Sequence, residues 1–501
     1  MFAEGAASVS VFRPRYLAPV LFAAGLGAVG GLVGLVIAAV GGDSVALGVV
    51  LPFVVAGGVL LVWDTRLGLC FAAFAITPLG VVQREIGGVT LNLPEVLILL
   101  LVLKEGVRGV IAGRLVPDLF PLKGALLFVL VSVVGVGVGI AKGNGVVATL
   151  QDWRQFTEYL VLYWLVVVCV DDRRFVERLL VCFLFGCMLV AAHGIVQRYT
   201  GSGIPADQYI SDLVYHKGIR SGSFYGATPL GGLMVLAVGA GIGLLLADRS
   251  RWVRWPVAVG VCVCIIAAVF TKTRASWLAL GFALVLIAAS IRWSRKAATV
   301  AVVGLVAFSV FLGPLVVQRM STLTVSRSER SLLQRVHYYT AAWHIFRAHP
   351  VTGLGWGCYY DVDKILLDGR YYPVARPAGA PDATVHSAYL QILVKTGLAG
   401  LLGFGALMIG WMTPVLRAWA RRERDSWRYG VLVGVGAGVL GYLVHSTFEN
   451  FFQWPVMAQS FWLLAGVATV VAGRKGTKGT KGTEGMEGME GMEGMEGMEG
   501  M

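Results

Sequence analysis

Charged residues are scarce in this chain. They make up 14% of its 501 residues, against roughly 25% in soluble domains, and 57% of positions are hydrophobic. That deficit excludes a soluble globular protein. Apolar runs of roughly 16–24 residues recur along the chain, each near the length that crosses a hydrocarbon layer of about 30 Å. The sequence therefore reads as an all-α polytopic membrane protein. Spans are expected near 17–40, 45–62, 67–82, 93–110, 119–140, 157–170, 176–196, 228–246, 253–270, 275–291, 297–317, 388–412, 430–446 and 451–472, or 12 to 14 transmembrane helices once short runs are discounted.

Other absences narrow the function. The seven cysteines include no CxxC pair, and six lie within apolar runs, so they read as small core residues rather than a disulfide or zinc framework. There is no Walker motif, no HExxH and no GxSxG. The glycines 353, 355 and 357 lack the strand–helix unit of a dinucleotide fingerprint. No cofactor and no metal are expected; Asp361, Asp363 and Asp368 are the one loose set of oxygen ligands for a cation. The net charge of +13 does not imply nucleic acid, because cytoplasmic loops of membrane proteins collect Lys and Arg. No cleavable signal peptide is evident, and residues 12–15 (FRPR) followed by an apolar run read as an uncleaved first span. The tail 474–501 is a GTK, then GME, triplet repeat without proline, which excludes collagen and reads as disordered.

Basic residues set an orientation. With the N-terminus inside, 25 of 42 Lys and Arg fall on inner segments, and eight of the remainder sit in one long loop at 318–385. Both termini are therefore expected in the cytoplasm. The chain divides into N-terminal transmembrane helices (1–317), the large loop (318–385), C-terminal transmembrane helices (386–473) and the tail. Within the loop, Leu332, Val336, Tyr339, Trp343 and Phe346 form one apolar helical face, expected against the membrane surface.

Four features converge on the outer side. His386 precedes a long apolar helix for which Ser387 is a suitable N-cap. A helix N-terminus favours a neutral ring able to accept a proton. Arg274 opens a span at the outer face, where a cation is unfavourable unless an anion joins it. Arg220 precedes the span opened by Thr228 and Pro229, and Arg335 lies on the loop helix. Arginine forks beside helix N-termini suit phosphate. Plainer uses stand beside these: Arg274 reaching lipid phosphates, Arg220 pairing with Asp207 or Asp212, Arg335 on a solvated helix face, and His386 as a capping histidine.

The pattern of these residues resembles the O-antigen ligase and polymerase superfamily of bacterial envelope glycosyltransferases, over about 196–470. The segments carrying it are Arg220 to Phe224 (RSGSF), Thr273 to Leu278 (TRASWL), Arg335 with Trp343 and His349 to Gly355 (HPVTGLG), Val385 to Leu390 (VHSAYL) with Gly397 and Gly400, and His445 to Glu449 (HSTFE). The sequence departs from the family where Ala227 to Pro229 replaces Asn-Pro-Asn and where Glu449 replaces Asp. The resemblance implies a GT-C-like helical fold with a periplasmic loop, in a bacterial inner membrane. It implies metal-independent, inverting transfer of a glycan from undecaprenyl diphosphate to an acceptor hydroxyl. In that reading Arg220, Arg274 and Arg335 hold the diphosphate, His386 is the base, and His445 and Glu449 support it. The partners are the lipid-linked donor, a lipid A core or glycan acceptor, and membrane lipid. The ligase reading leads; a polymerase of the same superfamily, an anion transporter and a non-catalytic scaffold are the alternatives.

Overall fold

The computed structural model describes residues 64–86, 89–113, 120–204, 219–247, 251–291, 329–358, 365, 385–421 and 426–473. The described residues are almost entirely helical. In chain order they form α1 (Thr65–Ala75), a hairpin of β1 (Gln83–Ile86) and β2 (Val89–Asn92), α2 (Leu93–Ile111), α3 (Leu122–Ala141), α4 (Val146–Thr157), α5 (Leu160–Cys169), α6 (Arg173–Thr200), α7 (Ala227–Ala247), α8 (Arg251–Phe270), α9 (Arg274–Ser290), α10 (Glu329–Ala348), α11 (Ala388–Ala420), α12 (Ser426–His445), a 3₁₀ turn (Phe451–Gln453) and α13 (Pro455–Gly473). Seven of the helices are long and apolar enough to cross a membrane: α3, α6, α7, α8, α11, α12 and α13. The protein is an all-α polytopic membrane protein, with one two-stranded hairpin that the apolar pattern did not announce.

The expected count of 12 to 14 spans is not reproduced helix for helix. The runs at 17–40, 45–62 and 297–317 lie outside the described residues. The run at 157–170 is only the ten-residue α5, preceded by a break at Glu158 and Tyr159. Ten residues rise about 15 Å, half a bilayer. An apolar run buried inside a bundle looks like a span in sequence whether or not it crosses alone.

Helices α7 and α13 form the centre. Nearly every residue of both is buried, so neither shows a distinct apolar stripe. Helix α7 packs on α12 through glycines 239 and 243 facing 434 and 438. A Cβ built on Gly239 would sit 2.6 Å from the Gly438 Cα, so these backbones approach closely only without side chains.

The two ends of the bundle differ in chemistry. At one end Arg66 pairs with Asp171 and, at 3.1 Å, with Asp172, the N-cap of α6. Arg173 lies over the Trp427 ring, and Arg428 donates to the Val471 and Ala472 carbonyls at the end of α13. A guanidinium on terminal carbonyls satisfies groups the helix itself leaves open. At the opposite end lie the loops that precede α7, α9 and α11 and the turn that follows α12.

Helix α11 is broken at Gly397 (φ 64°, ψ −162°). The segment 350–358 enters the bundle and fills the break. Leu354 and Gly355 N–H groups donate to the Val394 and Lys395 carbonyls at 2.9 Å, while Leu398 and Ala399 N–H groups donate to the Pro350 and Val351 carbonyls at 2.8 and 3.4 Å. Non-helical backbone at membrane depth is tolerated only where protein satisfies it. Gly353 is left-handed (φ 64°), and a Cβ there would meet the Val394 carbonyl at 2.5 Å. The glycines 353, 355 and 357 thus serve close backbone docking. Trp356 is fully buried and its indole N–H donates to the Ser132 carbonyl at 2.9 Å.

The loop helix α10 packs on the protein through a side other than its apolar stripe. Its buried side is Ala341, Ala342 and Ile345, set in a small core with Leu354, Val385 and Val394. Val336 and Trp343 of the expected face are exposed, and Tyr339 donates to the Thr447 carbonyl at 3.0 Å. Close contact with a loop selects alanines, which a stripe of large residues does not reveal.

Crowding at the α7–α12 crossing makes a direct expectation. Gly239→Leu should destabilise by about 1–3 kcal/mol or more, seen as a lower melting temperature and a smaller monodisperse fraction in detergent. Gly137→Ala, whose new Cβ meets nothing within 4 Å, should leave both unchanged or slightly improved.

Candidate active site

The short turn after α12 gathers the site. Its Ser446 carbonyl accepts the Ala388 N–H at 2.9 Å, and its Phe448 carbonyl accepts Arg335. This one turn therefore holds the start of α11 and the start of α10 together.

His386 stands just ahead of α11 in a left-handed conformation (φ 48°). Such a conformation in a non-glycine residue costs on the order of 1–3 kcal/mol and persists only where neighbours impose it. The neighbours are plain: Val385 N–H donates to Gln391 Oε1 at 3.0 Å, and Ser387 caps the helix by accepting from Leu390 N–H. His386 Nδ1 lies 2.9 Å from Glu449 Oε1. A carboxylate oxygen there accepts from a protonated Nδ1, and in the neutral ring of that tautomer Nε2 presents a lone pair. The imidazole is about one-third exposed while Glu449 is nearly buried. Tyr338 of α10 meets the ring edge-on, centroids 5.3 Å apart.

Arg220 and Arg274 meet at the turn before α9. Arg220 Nε donates to the Thr271 carbonyl at 3.3 Å and its Nη2 to Thr273 Oγ1 at 3.4 Å. The next N–H, that of Ser221, donates to the Phe270 carbonyl at 3.0 Å. Arg274 is the first residue of α9, whose N-cap Thr273 makes no side-chain cap bond. The buried Nη1 of Arg274 has no hydrogen-bond partner among the described residues. A buried charged donor left unpaired is costly, and an oxyanion would relieve it. Arg274 and Arg335 lie within electrostatic reach of one another, which raises the demand for an anion. Ser276, one half-turn into α9, lies 3.4 Å from His445 Nε2, tying this turn to the end of α12.

Backbone strain falls in the same place. Among the described residues the non-glycine left-handed positions are Ser223, Lys272 and His386, one in each of the loops before α7, α9 and α11. Strain collected at one end of a bundle is the usual mark of a working site.

The structure thus brings His386, Arg220, Arg274, Arg335 and Glu449 to one end of the bundle. Glu449 touches His386 directly despite replacing the family's Asp. His445 does something else: it is fully buried, bridges α9 and α12, and sets its ring against Phe451 at 4.6 Å. His386 is not the helix cap; Ser387 is. Arg335 is not on a solvated face, since it donates into the turn. Asp207, Asp212, Asp361, Asp363 and Asp368 lie outside the described residues. Sequence reasoning missed Tyr338, Ser276 and the buried pair Asp152–Lys395. A lone charge within an apolar run could have marked Lys395; Asp152, close to Arg154 and Glu158 in a polar stretch, carries no such signal.

Residues 259–405 match the family model described as O-antigen ligase. No curated protein matches the chain. The matched segment runs from α8 through the break in α11 and includes Arg274, Arg335 and His386; Arg220 and Glu449 fall outside it. Through this segment the chain is similar to the O-antigen ligase family.

Proposed function

We propose that the protein transfers a glycan from an undecaprenyl-diphosphate donor to an acceptor hydroxyl, the sugar of a lipid A core, at the periplasmic face of a bacterial inner membrane, with both termini cytoplasmic. The observation that carries this reading is the 2.9 Å contact of His386 Nδ1 with Glu449, which leaves Nε2 as a proton acceptor at the end of the bundle that holds Arg220, Arg274 and Arg335.

The chemistry follows from those groups. The acceptor oxygen attacks the anomeric carbon as its proton passes to His386 Nε2. The bond from that carbon to the diphosphate oxygen breaks, and its electron pair leaves with the lipid diphosphate. In-line attack inverts the anomeric centre. Glu449 stabilises the imidazolium that forms. The three arginines and the open N-terminus of α9 neutralise charge growing on the leaving group without a metal. A polymerase uses the same donor and differs in its acceptor, another lipid-linked repeat.

His386→Ala should lower transfer by about 10²–10⁴-fold in purified protein given a lipid-linked glycan and acceptor, with donor binding retained. Full transfer by that variant would reject the base assignment. Arg274→Ala and Arg335→Ala should each weaken binding of inorganic pyrophosphate by roughly tenfold or more, about 1.5–3 kcal/mol for a charged hydrogen bond, read by thermal shift at low salt. In cells lacking the gene, free polymer accumulating unattached supports the ligase reading, and products one repeat long support the polymerase.

A further inference from the structure

Beneath His386 a chain of buried polar groups runs into the bundle. Glu449 Oε1, which faces His386, also accepts the Asn450 N–H at 3.3 Å. Asn450 Nδ2 donates to Gln453 Oε1 at 2.5 Å, and Gln453 Nε2 donates to Asp152 Oδ1 at 2.9 Å. Asp152 Oδ2 in turn accepts Lys395 Nζ and the Gly357 N–H, the latter at 2.7 Å. Every member is at least nine-tenths buried: Asp152, Lys395, Glu449, Asn450 and Gln453.

We infer that the Asp152–Lys395 pair is a positioning device for His386, acting through Gln453, Asn450 and Glu449. The inference rests on the transferase reading given above. A charge pair inside a membrane bundle is expensive and is kept where it serves a site. Its placement fits that use. Lys395 stands two residues before the break in α11, Gly357 ends the loop that fills the break, and Asp152 comes from α4. The carboxylate of Asp152 thus joins α4, the entering loop, α11 and the 3₁₀ turn at one point. That same turn follows Glu449 by two residues. The two amides between Asp152 and Glu449 hold their protons in ordinary conditions, so the chain orients rather than conducts. It sets the direction of the Glu449 carboxylate, and this sets the tautomer and tilt of His386.

Two variants test this. Asp152→Val with Lys395→Met replaces the charge pair by apolar groups nearer its volume, an exchange that buried ion pairs often tolerate. Gln453→Leu cuts the chain in the middle and leaves the pair intact. Each folded variant should lose at least tenfold in kcat with the donor KM unchanged within about twofold. Nitrogen NMR of labelled His386 should change from a ring protonated at Nδ1 to a mixture of tautomers. A folded Gln453→Leu protein with wild-type kcat and wild-type tautomer would overturn the inference, as would kcat and KM worsening together in proportion to lost thermal stability. The tautomer needs no turnover, so it reports on the positioning chain even where His386→Ala shows that the transferase reading itself is wrong.

Discussion

A backbone break at membrane depth has to be satisfied by protein, and this constraint shapes the structure. Gly397 ends the first turns of α11, and the carbonyls and N–H groups it frees find partners in residues 350–355. Without that loop, several backbone groups would face an apolar surrounding at several kcal/mol each. With it, the segment 388–396 is held at a fixed angle to the rest of α11. His386 sits at the tip of that segment. The site geometry is therefore a consequence of how a membrane protein closes a gap in a helix.

The same economy appears in the turn after α12. Its carbonyls receive Arg335, Tyr339 and the first N–H of α11, so a few residues join elements far apart in sequence. Positive charge is concentrated there by design of the fold, with Arg274 at an uncapped helix N-terminus. Repulsion of this kind persists until an anion neutralises it. The opposite end treats its arginines differently, spending them on aspartates, an indole ring and helix carbonyls.

Much of this was legible in the sequence. The scarcity of charge and the recurring apolar runs specify a helical membrane protein. His386 ahead of a capped helix, and the arginines at the edges of apolar runs, mark the working end because polar groups at such edges need a reason. Less legible were the partners. Tyr338 lies beside the apolar stripe rather than on it, and nothing local says that His386 will meet its ring. The glycines of 353–357 were recognisable as a motif but not as a plug for Gly397, because nothing local says which backbone will come near. Lys395 lies in the helix that follows His386, but its carboxylate partner lies 243 residues away.

The sequence alone determined the class of molecule, most of the described helical segments and the cap at Ser387, and it singled out His386 and the arginines at the edges of apolar runs. These follow from local composition and periodicity, which act within a few residues. Only the tertiary structure decided that Glu449 rather than His445 meets His386, that α11 is broken and filled, and that Asp152 lies under the site. Those outcomes depend on contacts between segments distant in the chain, where burial requires each polar group to be paired and only the assembled bundle selects the partner.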